Sequence, residues 1–185
     1  MLTERKVCIL VANGFAENQV TEIQRALTKA KVTFKIVAPE QGLVNGWQGN
    51  GWGHYFTVDS QIGATLGSDY DALVLIGGER AIAKLKPNLH SRRIINHFLE
   101  AEKPISAVGE GVSLLALTSK SAGLSVAAPA EIEAELAAAQ IERVKESQIE
   151  DRQVLTATGT ELGPWVEATM AMIDAYQPET VEQAA

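Results

Sequence analysis

Apolar and polar positions follow two rhythms along this chain, and the switches between them mark out its elements. Val7 to Ala12 is an unbroken apolar run between Lys6 and Asn13-Gly14, the pattern of a strand covered on both faces. Val20, Ile23, Leu27 and Ala30 then recur at helical spacing after a loop from Asn13 to Asn18. Val32 to Ala38 alternates up to Pro39 and predicts a second strand. Asp71 to Ile76 predicts a third, ending in Gly77-Gly78 before a helical segment from Arg80 to Lys86. Leu89, Ile94, Ile95, Phe98 and Leu99 mark the inward face of an amphipathic helix that closes at Lys103-Pro104.

From Pro104 a short apolar strand runs through Gly109-Glu110-Gly111 into an apolar helix that continues over Leu114 to Leu117. Glu131 to Ala139 predicts a helix with Ile132 and Leu136 inward. Val144 to Ile149 and Gln153 to Thr158 predict a hairpin about Glu150-Asp151-Arg152, and Leu162, Val166, Met170 and Ile173 a closing helix. Strands alternating with helices imply right-handed crossovers, hence an α/β sandwich of three layers with a mostly parallel sheet and helices on both faces.

One stretch breaks the rhythm. Between Glu40 and Asp69 the chain turns glycine-rich and aromatic, and Gly42 to Val58 predicts a hairpin or flap with a long tip. Two of the three tryptophans, Trp47 and Trp52, lie on it, beside His54. Their rings either pack on a partner subunit, form a binding edge, or fold back onto the protein's own surface.

Composition narrows the classes of function. With 185 residues, 46% apolar and 21% charged, the chain suffices for one good core, expected over residues 1–177, with a fraying tail over 178–185. A net charge of −7 and no Lys/Arg cluster argue against nucleic acid and acidic membranes as partners. Only six apolar residues follow the charged N-terminus, too few for a signal segment or a span, which predicts a cytoplasmic protein. Cys8 is the one cysteine, so no disulfide forms within the chain; at mid-strand it reads as inert core.

The candidate chemistry centres on the turn at Gly109. A sharp strand-to-helix turn between glycines has the form of a nucleophile elbow, which exposes a Ser or Cys in a sparsely populated backbone conformation. Here that position is Gly109, which keeps the turn without strain and offers no attacking group. Gly77-Gly78 either present backbone N–H groups to a ligand or serve a tight turn.

The loop Asn13-Gly14-Phe15-Ala16-Glu17, the phrase Asp69 to Gly78 and the phrase Lys103 to Gly111 resemble the ThiJ/PfpI superfamily, in the right order and spacing. Leu162-Gly163-Pro164-Trp165 is similar to the entry of its closing helix. The resemblance implies a flavodoxin-like sandwich, usually homodimeric, in a family described as glyoxalases or deglycases, peptidases, chaperones and stress proteins. Its active members use an elbow cysteine beside a glutamate from the loop after the first strand. On this sequence the cysteine corresponds to Gly109, the residue after it, commonly histidine, to Glu110, and the glutamate to Gln19. All three are changed. The Gly-Glu-Gly-Val elbow also resembles the C-terminal domains of large-subunit catalases, which lack the cysteine chemistry.

Substitutes for the lost groups are few. Glu110 stands near a helix N-terminus, where the dipole favours its ionised form; it either satisfies free N–H groups or fills the emptied anion site. Glu17 is two residues from Gln19, a step that repoints a side chain. Ser106 and Ser113 flank the apex without occupying it. His90 and His97, seven apart, lack the spacing and third ligand of a metal site, and His54 stands alone in the flap. No cofactor motif is present: Leu114 occupies the place where a dinucleotide loop needs a third small residue. The expected function is therefore a non-catalytic stress-associated chaperone, ligand-binding or interaction module, acting on a small molecule or a protein client. The alternative is a glyoxalase- or hydrolase-type enzyme rebuilt around Glu110, Glu17 or His54.

Overall fold

In a computed structural model describing residues 1–179, the apolar runs form the middle of a seven-stranded sheet. In chain order the elements are β1 (Lys6–Leu10), the short β2 (Phe15–Ala16), α1 (Glu17–Lys29), β3 (Thr33–Ala38), β4 (Leu43–Trp47), β5 (Trp52–Thr57) and β6 (Ser60–Gln61). There follow β7 (Ala72–Leu75), α2 (Glu79–Leu85), α3 (Leu89–Glu100), β8 (Ile105–Val108) and a 3-10 helix (Gly109–Leu117). The chain then adds β9 (Ser125–Val126), α4 (Glu133–Ala138), β10 (Glu142–Arg143), β11 (Gln148–Asp151), β12 (Val154–Ala157) and α5 (Leu162–Ala175).

The sheet order is β11-β12-β8-β7-β1-β3-β6, with every pair parallel except β11 with β12. Register brings Ile9 beside both Ile36 and Val74, so the central strands share one buried apolar layer. On one side α1 packs against α5; on the other α2, α3 and α4 gather round the 3-10 helix. This is the α/β sandwich that the alternation of strands and helices predicts, in the flavodoxin-like form that the resemblance implies. Among the described residues, no helix is long and apolar enough to cross a membrane.

Four local expectations are corrected. The segment after the elbow is wound as a 3-10 helix throughout: Gly111 lies against the Leu75 carbonyl, and the Ser113 hydroxyl donates to the Glu110 carbonyl at 2.7 Å, three residues back. Leu89, read as inward, is 82% exposed because α3 starts there, its free N–H groups capped by Asn88. The closing hairpin turns one step later than expected, at Arg152-Gln153, with Arg152 at φ +55°, while Val144 bonds back to Val126 beyond β10. And α1 begins at Glu17 rather than after Asn18, since Phe15 and Ala16 pair with Gly46 and Trp47. Of the tail expected to fray, residues 180–185 lie outside the described part.

Candidate functional site

The turn after β8 holds Gly109 at φ +58°, in the left-handed region where a side chain is disfavoured. Two side chains close round it. Gln19, in the first turn of α1, accepts a hydrogen bond on Oε1 from the Gly77 N–H at 2.7 Å, which leaves its Nε2 beside Gly109. Glu110 accepts on Oε2 from the Gly78 N–H at 2.9 Å. Both N–H groups of the glycine pair after β7 are thus taken by the chain's own oxygens.

Space at the apex survives. A Cβ on Gly109 meets nothing closer than Gln19 Nε2 at 3.2 Å, whereas on Gly78 or Gly111 it would strike backbone at 2.6 Å. The elbow has room for a nucleophile and carries none, and the amide of Gln19 takes no proton where a carboxylate would.

Glu17 faces elsewhere. Its carboxylate, 8% exposed, lies over the β4-β5 hairpin. The His54 N–H donates to Oε2 at 2.9 Å, and both His54 Nδ1, at 2.5 Å, and Gln48 Nε2, at 3.3 Å, donate to Oε1. The acid fits only because Gly46 and Gly53, on facing strands, have no side chains: a Cβ on Gly53 would lie 1.7 Å from Oε2. Burial pushes the Glu17 carboxyl up, but the hydrogen bonds from the His54 ring, the His54 backbone and Gln48, with the charge of an imidazolium, outweigh it and hold the group below its ordinary range.

The hairpin's aromatic residues divide. Trp47 meets Trp52 edge to face at 5.3 Å and carries the Arg80 guanidinium 3.8 Å above its ring. Phe56 packs edge-on against Phe15 at 5.2 Å. Trp52, Tyr55 and Leu43 stand exposed. Trp47 is therefore folded back onto the protein, and Trp52 offers its other face outward.

Elbow and hairpin enclose a cleft of about 820 Å³, lined among others by Glu17, Gln19, Trp47, Gly78, Arg80 and Glu110. It brings together Glu17, Gln19, Trp47, Gly78 and Glu110 from the sequence-derived set, with Gly77 and Gly109 in contact with the Gln19 amide. Arg80 was missed in the sequence. Its one signal is its place in the first turn of the helix after Gly77-Gly78, and its stem packs on Gly14, where a Cβ would lie 2.4 Å from Arg80 Cβ.

The other candidates sit apart. Cys8 is fully buried in β1, and burial pushes its thiol up to about 12, far from a reactive thiolate. Ser106 accepts from the Trp165 indole N–H at 2.8 Å and shares a 2.7 Å bond with Thr169, all buried beneath α5. His97 accepts from the Lys103 ammonium at 3.0 Å and His90 from Arg93 at 3.2 Å. Among the described residues, no three His, Cys, Asp or Glu side chains gather as they would round a metal ion.

Comparison with known proteins bears on the family and the fold. The sequence profile of the DJ-1/PfpI family matches residues 5–172. Catalase-2 of Bacillus subtilis (strain 168) is 32% identical over 114 residues, 60% of this chain and 15% of the catalase. General stress protein 18 of the same organism is 28% identical over 112 residues, 60% of this chain and 63% of that protein. The chain therefore matches less than two thirds of either relative's length. A ThiJ/PfpI domain protein from Brachyspira murdochii superposes with a TM-score of 0.84 at 17% identity, over 93% of this chain and 97% of that one, which shows a shared fold.

Proposed function

The chain belongs to the DJ-1/PfpI family, and from that premise we propose that it is a non-catalytic member with a stress-associated role. It would hold a small ligand in the cleft, or a protein client on its surface, without converting it. The observation that carries this reading is the state of the elbow. Gly109 has no side chain, and the Gly77 and Gly78 N–H groups, donors placed to stabilise developing negative charge, already donate to Gln19 and Glu110. A substrate oxyanion would have to displace both. The stress-associated part is supported by the likeness to General stress protein 18. A homodimer, as the family resemblance implies, and a cytoplasmic location belong to the same reading.

One observation favours a second reading, a rebuilt hydrolase. Glu17 fixes His54 through Nδ1 at 2.5 Å while the His54 side chain is 79% exposed, so in the neutral ring Nε2 is left free to act as a base. The two are separated by assaying methylglyoxal consumption and p-nitrophenyl ester hydrolysis with the purified chain and its Cys8→Ser, Glu110→Gln and His54→Gln variants. The expected result is turnover at the buffer rate in all four. Turnover above buffer that persists in Cys8→Ser and vanishes in Glu110→Gln or His54→Gln would replace the non-catalytic reading with an enzyme.

A further inference from the structure

We propose that the cleft beside the elbow receives a small zwitterion, a molecule carrying one carboxylate and one protonated amine on a short chain. This deepens the reading of the site as a binding pocket and rests on it. Two donors meet the cleft without an acceptor among the described residues. The Arg80 guanidinium has neither an ion-pair nor a hydrogen-bond partner, yet it is not loose: its head lies 3.8 Å above the Trp47 ring and its stem on Gly14.

Gln19, only 7% exposed, is the second. Because its Oε1 must accept from the Gly77 N–H, the amide has one orientation, and Nε2 presents its N–H groups on the Gly109 side with nothing from the chain to receive them. Arg80 and Gln19 line the same cleft, and a guanidinium and an amide N–H are each suited to an oxygen of a carboxylate.

The same cleft excludes a plain anion. Glu17, Glu22, Glu79 and Glu110 line it against the single guanidinium. Glu17 is committed to His54 and Gln48, and Glu22 pairs with Arg25. Glu79 has no partner among the described residues, and Glu110 uses only Oε2, toward Gly78. A ligand carboxylate at Arg80 therefore enters a negative field unless the same molecule brings a cation to Glu79 and Glu110. One molecule with both charges satisfies donors and acceptors together.

Titration calorimetry on the whole chain, with glycine, 4-aminobutanoate and 6-aminohexanoate against butanoate and butylamine, tests this. At least one amino acid is expected to bind tenfold or more tightly than either single-charge probe, and Arg80→Gln to weaken it at least tenfold. As Arg80 is exposed, that variant should fold; Glu79→Gln, also exposed, is expected to weaken the amino acid while sparing butanoate. Butanoate binding as well as every amino acid, affinity unchanged in Arg80→Gln, or no binding heat from any probe at its highest soluble concentration would each overturn the proposal. Proton NMR of the recovered probe reads the underlying function separately. An unchanged probe keeps the non-catalytic reading even where binding fails, and a converted probe ends it whatever the affinities.

Discussion

The elbow and the hairpin hold one glutamate each in different ways. At the elbow, Glu110 uses one oxygen to satisfy a backbone N–H that the fold leaves free, and the second oxygen stays available. Under the hairpin, Glu17 receives three donors in a socket between two glycines, and both of its oxygens are used. The first arrangement occupies a backbone N–H that could hold an anion; the second joins the β2–β4 pairing in fastening the β4-β5 ribbon to the body of the protein. A carboxylate beside a sharp glycine turn is thus not by that fact a catalyst. What it touches decides whether it plugs or fastens.

Removing the fastener should have the largest effect. Glu17→Ala leaves an empty socket and unsatisfied donors, and is expected to lower stability by about 2–3 kcal/mol, the range for hydrogen bonds to a buried charge. Urea unfolding measures the loss, and amide exchange should speed up first in β4 and β5. The same contact sets a pH dependence. The folded Glu17 carboxyl titrates below its ordinary value of 4.5, so its contribution is complete above that value and disappears as the pH falls through the folded one. Between neutral pH and about pH 5 the hairpin's protection factors, its exchange rates relative to those of the unstructured chain at the same pH, should therefore stay level, and they should fall in acid below it. In Glu17→Gln the acid step should be gone.

Gly109→Ala comes next, at about 1–2 kcal/mol, the cost of a Cβ in the left-handed region, where its nearest neighbour is the Gln19 amide at 3.2 Å. Gly109→Cys should cost the same by chemical denaturation; no loss would mean that the turn is unstrained. Trp52→Ser should be smallest in stability, within about 0.5 kcal/mol as for an exposed residue, yet should lower the mass seen by light scattering toward that of one chain. An unchanged mass would assign Trp52 to the protein's own surface or to a ligand-binding edge. As a control on both regions, Ellman's reagent should leave Cys8 unlabelled in the native protein and label it on unfolding.

The sequence speaks clearly where a side chain's fate depends on its near neighbours. Val7 to Ala12 and Asp71 to Ile76 could be read as buried strands because their whole environment is apolar, and the sharp turn at Gly109 because a glycine-flanked strand-to-helix turn is a local shape. Glu17 with His54 and Gln48 was not legible, since the partners lie 37 and 31 residues away and meet only when the ribbon folds back. Arg80 escaped for a related reason. A guanidinium at a helix start reads as a solvated charge until Trp47 is known to lie beneath it. The 3-10 winding after Gly109 was also hidden, because an all-apolar run has no polar face from which to read a period.

The glycine socket has a practical consequence for the tip that it carries. Every contact that fastens the ribbon falls at or before Gln48 and at or after Gly53, and added side chains at Gly49 and Gly51 would meet nothing within 4 Å. The segment between those two glycines is therefore a site for grafting. A short peptide tag or fluorophore inserted beside Asn50 would ride at the rim of the cleft and report on its occupancy while the base of the ribbon stayed latched.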